Sequence, residues 1–249
     1  MSTRSDPLTR RAALVLGGAL ILASSCLAAG LPASAQTAAQ PVRIGVIGAG
    51  NIGSTIGGLW AKAGHEVMLS SRHPEELKSI VEGLGPKAKA GNPAEAIAFG
   101  DVVFIAVPYK AYPQLAQDYA GALKGKVVID AGNATQARDG DVFGEVQASG
   151  IAAVSAKYLS GAKVVRGFNA ANYKIFAKNA HREGGSMAIP IAGDDPKALA
   201  IAAQLVRDAG FDPVEVGPLA KADTFAMGSP GFGLDLKADE LRTHLGVTR

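Results

Sequence analysis

The sequence predicts an α/β fold built on a mostly parallel sheet, and three observations carry that prediction. Short apolar runs recur along the chain, at 42–47, 102–107, 127–130 and 187–192. Their length and scarcity of charge suit strands buried on both faces. Segments with apolar residues at helical spacing alternate with them. The first run feeds straight into Gly48-Ala49-Gly50-Asn51-Ile52-Gly53, a Gly-x-Gly-x-x-Gly turn between strand and helix. The reading is a doubly wound sheet of the Rossmann type, extended by a C-terminal βαβ unit.

Residues 1–35 precede that fold and read as an export signal. A polar start ends in Arg10-Arg11, an apolar run extends from Ala12 to Leu31, and Ala33-Ser34-Ala35 gives the small-x-small pattern a signal peptidase accepts. Paired arginines ahead of a mildly apolar, glycine-containing stretch resemble a twin-arginine signal, with Ala13 where that signal prefers Phe. An ordinary secretory signal, an uncleaved anchor and a lipoprotein-like box at Leu22-Ala23-Ser24-Ser25-Cys26 stay open. The expected location is outside the cytoplasm, periplasmic or extracellular in a bacterium, with membrane contact only through an uncleaved leader. Residues 36–41 read as a linker, 42–216 as the dinucleotide-binding domain, and 217–249 as a tail that is a candidate wall of an acceptor pocket.

Charge and cysteine content exclude several classes. The formal net charge is +3, but residues 36–249 hold 22 basic against 21 acidic residues. A near-neutral body gives no support for nucleic-acid binding. The one cysteine, Cys26, lies in the leader. The domain therefore has no thiol for a disulfide, a nucleophile or a metal, and no metal site is expected. A homodimer stays open.

The glycine turn assigns the ligand. Val42 to Ile47 is the first strand, and Ile52, Ile56, Leu59, Trp60 and Ala63 mark the helix that follows, ended by Gly64. Val67-Met68-Leu69 is the next strand. In this context Gly48 allows a tight turn, Gly50 lets backbone approach a pyrophosphate and Gly53 lets helix and strand pack closely. Ala49, Asn51 and Ile52 complete the cradle, where free N–H groups and the helix dipole favour negative charge. Enzymes specific for NAD place an acid at the end of the second strand. This chain has Ser70-Ser71-Arg72-His73, and no acid before Glu75. Hydroxyls and a guanidinium suit a 2′-phosphate, so the expected cofactor is NADP(H). Lys78 reads as a solvated lysine. His73 reads either as an adenine-stacking ring or as a plain loop residue.

Later elements follow in the same rhythm. Asn92-Pro93-Ala94-Glu95 opens a short helix with a capping box. The strand 102–107 ends at Pro108, and in this fold the loop after it lies against the nicotinamide ribose, so Val107, Pro108 and Tyr109 are candidate contacts. Tyr112, Leu115, Tyr119 and Leu123 mark a helix. Strands at 127–130 and 163–166 lead into Asn133 and Asn169, both placed at the carboxyl edge where ligands bind. Either they face the nicotinamide or acceptor, as catalytic candidates, or they cap loops. Strands at 187–192 and 211–216 flank a helix capped by Asp195-Pro196, and a short helix spans 237–245. His181 and His244 read as surface residues.

The motifs taken together resemble a known family. Gly48 to Gly53, Ser70-Ser71-Arg72, Ala106-Val107-Pro108, Ile129 to Asn133, Val165 to Asn169, Ala192 to Asp195 and Gly210 to Pro213 follow one another as in the NADPH-dependent deazaflavin (coenzyme F-420) reductase-like proteins. Relatives of that family include the nucleotide domain of the Steap metalloreductases and the N-terminal domain of pyrroline-5-carboxylate reductase. The resemblance implies hydride transfer between nicotinamide and a small-molecule redox acceptor: a flavin, a deazaflavin or a chelated metal. It leaves two alternatives, a small carbonyl or imine reductase and a non-catalytic NADP-binding module. The tail is expected to bring Phe225 and Phe232 to the acceptor.

Overall fold

The computed structural model describes residues 40–247. The leader and most of the linker, with the calls made on them, lie outside the described residues. One eight-stranded sheet organises the rest, in the order β3-β2-β1-β4-β5-β6-β7-β8. Its strands are β1 (Arg43–Ile47), β2 (Glu66–Ser70), β3 (Ala88–Gly91), β4 (Val102–Ile105), β5 (Val127–Asp130), β6 (Lys163–Arg166), β7 (Ala188–Gly193) and β8 (Asp212–Gly217). Six strands run parallel from β3 to β6, β7 pairs antiparallel to β6, and β8 is parallel to β7. The Rossmann-type order with a C-terminal βαβ extension is the fold expected from the sequence.

The reversal at β7 has a local cause. Between β6 and β7 lies only one helix, α7 (Tyr173–Asn179) of seven residues, about 10 Å long. It does not carry the chain back to the opposite edge of the sheet. Pro190 sits inside β7 without breaking a ladder. The β6 pairing covers only Gly193 and Ala192, so the side of Pro190 that lacks a donor faces no strand.

Helices cover both faces. On one face lie α1 (Asn51–Lys62), α2 (Lys78–Leu84), α7 and α8 (Pro196–Asp208), around an aromatic core. There Trp60, Phe104, Phe168, Phe176 and Phe211 meet edge to face at centroid distances of 5.0–6.3 Å. The Trp60 indole N–H, which needs a partner when buried, donates to the Leu205 carbonyl at 2.7 Å. The other face holds α3 (Pro93–Phe99), α4 (Tyr112–Leu123), α6 (Ile151–Tyr158) and α9 (Ala238–Leu245). Asn92 and Glu95 form the predicted capping box, and Asp195 caps α8.

Four elements lie where the sequence reading placed none: β3, α5 (Gln136–Ser149), α6 and α7. The edge strand β3 is Ala-Lys-Ala-Gly, without the β-branched or aromatic residues that mark a strand. Helix α5 contains Gly140 at non-helical angles and has few buried residues, so no apolar stripe announces it.

Candidate active site

The strand order reverses between β1 and β4, and the loops at that point form the site. Helix α1 begins there with Gly50 as its N-cap. No side chain caps it and its first turn holds no acid. Its leading N–H groups are therefore open to an anion. The three glycines have different surroundings. Gly48 has φ +98°, and a Cβ on it would lie 2.6 Å from Val107 Cγ1. A Cβ on Gly53 would lie 1.9 Å from the Gly48 carbonyl oxygen. A Cβ on Gly50 would meet nothing within 4 Å, so the space beside that backbone is free for a pyrophosphate.

Two openings flank this cradle. A cleft of about 740 Å³ is lined by Gly48, Ala49, Gly50, Ser71, Arg72 and the side of α4. A second pocket of about 340 Å³ is lined by Asn51, Ile52, Ala131, Gly132, Asn133 and Phe232. Val107 and Pro108 line both. The arrangement could hold an extended dinucleotide, with adenosine in the cleft, pyrophosphate on residues 48–52 and nicotinamide in the pocket. Gly53 lines neither opening and acts through packing alone.

The adenosine end departs from expectation at one residue. Ser70 is fully buried, and its hydroxyl donates to the Val46 carbonyl at 2.7 Å. It fastens β2 to β1, so Ser70 lines the cleft with its hydroxyl proton already bonded within the sheet. Ser71 and Arg72 remain as the polar residues of the β2 loop in the cleft. Ser71 Oγ also accepts the His73 N–H at 3.1 Å, which shapes the loop. His73 is exposed and pairs with Glu75 at 3.5 Å. Glu76 and Lys110 also line the cleft, and the sequence reading singled out neither.

The two asparagines have different fates. Asn133 lines the pocket. Its side-chain amide donates to the Asn169 carbonyl at 2.7 Å, and its oxygen accepts the Met227 N–H at 3.3 Å. It joins three loops at the pocket wall. Asn169 is 1% exposed, and its amide donates to the Phe225 carbonyl at 3.3 Å. Its side chain does not face a ligand in the pocket. It ties the β6 loop to the tail. The preceding Phe168 has φ +58°, a conformation costing about 1 kcal/mol for a non-glycine residue. The aromatic core holds its ring in place and so turns Asn169 inward. The tail expectation also splits. Phe232 lines the pocket, whereas Phe225 is fully buried in the core.

Behind the pocket lies a buried polar cluster. Asp130 and Arg166 end two apolar strands as register partners, are both fully buried and pair at 2.8 Å. Asp130 also accepts from the Tyr112 hydroxyl at 2.5 Å and from Ser155 at 2.7 Å. With the Ser155 proton used on Asp130, Tyr109 donates to Ser155 Oγ across 2.6 Å. Burial, reinforced by Asp130, raises the pKa of both tyrosines, so they stay neutral donors. Burial opposes the Arg166 charge, but Asp130 and the tyrosines outweigh it and the pKa is raised. The sequence reading passed over Asp130 and Arg166 as site residues, although a charge at the end of an apolar strand was the available signal.

Fold and site together define a Rossmann-type dinucleotide-binding domain. Residues 43–134 match the family model described as NADP oxidoreductase, coenzyme F420-dependent. The chain is 26% identical over 188 residues to rat metalloreductase STEAP3, covering 76% of this chain and 36% of that protein. It thus spans about a third of the length of this curated relative. A hypothetical protein, SMa0349 from Sinorhizobium meliloti, has a similar structure with TM-score 0.67 and 28% identity, over 80% of this chain and 96% of its own. A protein from Arthrobacter sp. FB24, described as an F420-dependent NADP-reductase, follows with TM-score 0.59 and 22% identity, over 78% and 99% of the two chains. At that identity the likeness speaks for the fold.

Proposed function

We propose that the protein transfers hydride between NADP(H) and a planar acceptor of the flavin or deazaflavin type, stacked on the nicotinamide in the smaller pocket. The lining of that pocket carries the reading. Phe232, Tyr173, Met227, Val107 and Pro108 all line it. The lining includes no carboxylate, imidazole, ammonium or thiol side chain. Apolar and aromatic walls suit a flat ring, and transfer from ring to ring depends on position more than on a general acid. Bound NADPH would supply the hydride. The acceptor would take its accompanying proton from solvent at the pocket mouth, where Met227 is 46% exposed. Arg138 stands at the same rim, half exposed and paired with Asp139 at 3.0 Å.

Anaerobic mixing with NADPH and either FMN or a 5-deazaflavin should bleach the acceptor with catalytic turnover. Tight NADPH binding without reduction of any acceptor would leave the non-catalytic reading in place. One residue favours a second reading, carbonyl or imine reduction. The Tyr173 hydroxyl is the one side-chain O–H acid lining the pocket. Tyr173→Phe should change flavin or deazaflavin turnover by less than about threefold. A loss of a hundredfold or more, the scale of a lost general acid, would favour the second reading.

A further inference from the structure

The buried ion pair behind the pocket has more partners than a structural role requires. Asp130 Oδ1 accepts the Gly132 N–H at 2.9 Å, and Arg166 Nη2 donates to the Gly132 carbonyl at 2.6 Å. Both backbone polar groups of one pocket-lining residue are thus held by one charge pair. Gly132 fits there only without a side chain, because a Cβ would lie 2.3 Å from the Tyr112 hydroxyl. Tyr109 and Tyr112 follow directly on Val107 and Pro108, and their rings stack at 4.1 Å. Tyr112 bonds Asp130, while the Tyr109 hydroxyl accepts from Arg166 at 3.2 Å. The same cluster therefore grips the β4 loop and the β5 loop, the two walls between which the nicotinamide would lie. Asn133, next in the chain, carries this placement on to the tail through Met227.

Burial of a charge pair is weak evidence for stability, since apolar residues of the same volume often serve as well. What apolar residues cannot do is hold a backbone N–H and a backbone C=O at fixed positions. Asp130 accepts the Gly132 N–H, and the planar fork of Arg166 donates to the Gly132 carbonyl while also facing Asp130 and Tyr109.

We propose that Asp130, Arg166, Tyr109, Tyr112 and Ser155 form a positioning assembly. By fixing Gly132 against the β4 loop it sets the distance and tilt of the nicotinamide relative to its acceptor, without touching either. This inference rests on the hydride-transfer reading above. The proposed action is at the nicotinamide end, because Gly132 lines the smaller pocket and not the cleft.

Tyr112→Phe and Ser155→Ala in the full-length chain remove one hydroxyl each and keep the arginine and aspartate paired. Three readouts are needed: affinity for 2′,5′-ADP, which engages only the adenosine end; emission of bound NADPH, which reports the ring environment; and kcat with its isotope effect for 4-deuterated NADPH. The expected result is 2′,5′-ADP affinity within about twofold of wild type, altered NADPH emission, and kcat lowered about tenfold or more with a larger isotope effect. Unchanged emission and kcat in both folded variants would overturn the inference. So would a loss of 2′,5′-ADP affinity in step with kcat, which would mark a general structural defect. If the wild type reduces no flavin or deazaflavin, the acceptor reading falls by itself. The NADPH emission of the variants then decides this inference alone, with wild-type emission overturning it.

Discussion

Gly50→Asp is expected to reduce NADPH affinity by about a hundredfold or more while leaving the fold intact. A new Cβ at this position meets no atom within 4 Å, and the backbone has φ −71° and ψ −169°, which any residue adopts. Aspartate is also among the favoured N-cap residues, so α1 should hold or gain a few tenths of a kcal/mol. The same carboxylate places a negative charge where the pyrophosphate must lie. Losing the cradle's charge-assisted hydrogen bonds amounts to about 3 kcal/mol, or roughly a hundredfold. Gly53→Ala offers the contrast. Its Cβ would lie 1.9 Å from the Gly48 carbonyl oxygen, so melting temperature and affinity should fall together. Thermal melts beside fluorescence titrations with NADPH separate the two cases. A Gly50→Asp protein that binds NADPH as well as wild type would remove the pyrophosphate from the helix terminus.

Arg72→Asp should reverse the cofactor preference. Arg72 is exposed in the adenosine cleft beside Ser71. A guanidinium bonded to a phosphate contributes about 1.5–3 kcal/mol, so its loss alone weakens NADPH by about ten- to a hundredfold. The introduced carboxylate repels a 2′-phosphate and accepts from a ribose 2′-hydroxyl. The ratio of NADPH to NADH affinity should therefore fall by at least about a hundredfold, with NADH binding improved in absolute terms. An unchanged ratio in parallel titrations would place the 2′-phosphate elsewhere in the cleft, with Lys110 the remaining cation on its wall.

What the sequence disclosed and what it withheld divide along chain separation. The cradle was legible because strand, glycines and helix are contiguous in the chain. Val107 and Pro108 were legible because the strand order of this fold places their loop. The roles that went astray depend on contacts between distant segments. Ser70 and Ser71 look alike in the chain, but the carbonyl of Val46 on a neighbouring strand captures the first hydroxyl. Asn133 and Asn169 both follow strand ends, yet the left-handed turn at Phe168, held by aromatic rings from α1, β4, α7 and the residue before β8, directs only the second inward. Phe225 and Phe232 are seven residues apart in one tail, and only the packing of its short 3-10 helix Leu219–Phe225 decides which reaches the pocket. Asp130 and Arg166 were visible as charges on apolar strands. Their pairing follows only once β5 and β6 are known to be adjacent and in register.

The most direct test is calorimetric titration of the protein with NADP⁺ and, separately, NAD⁺ under identical conditions. The site as built, with Arg72 in the cleft and open helix N–H groups between cleft and pocket, predicts one NADP⁺ per chain and NAD⁺ at least tenfold weaker. No heat of binding for either dinucleotide, or equal affinity for both, would contradict it.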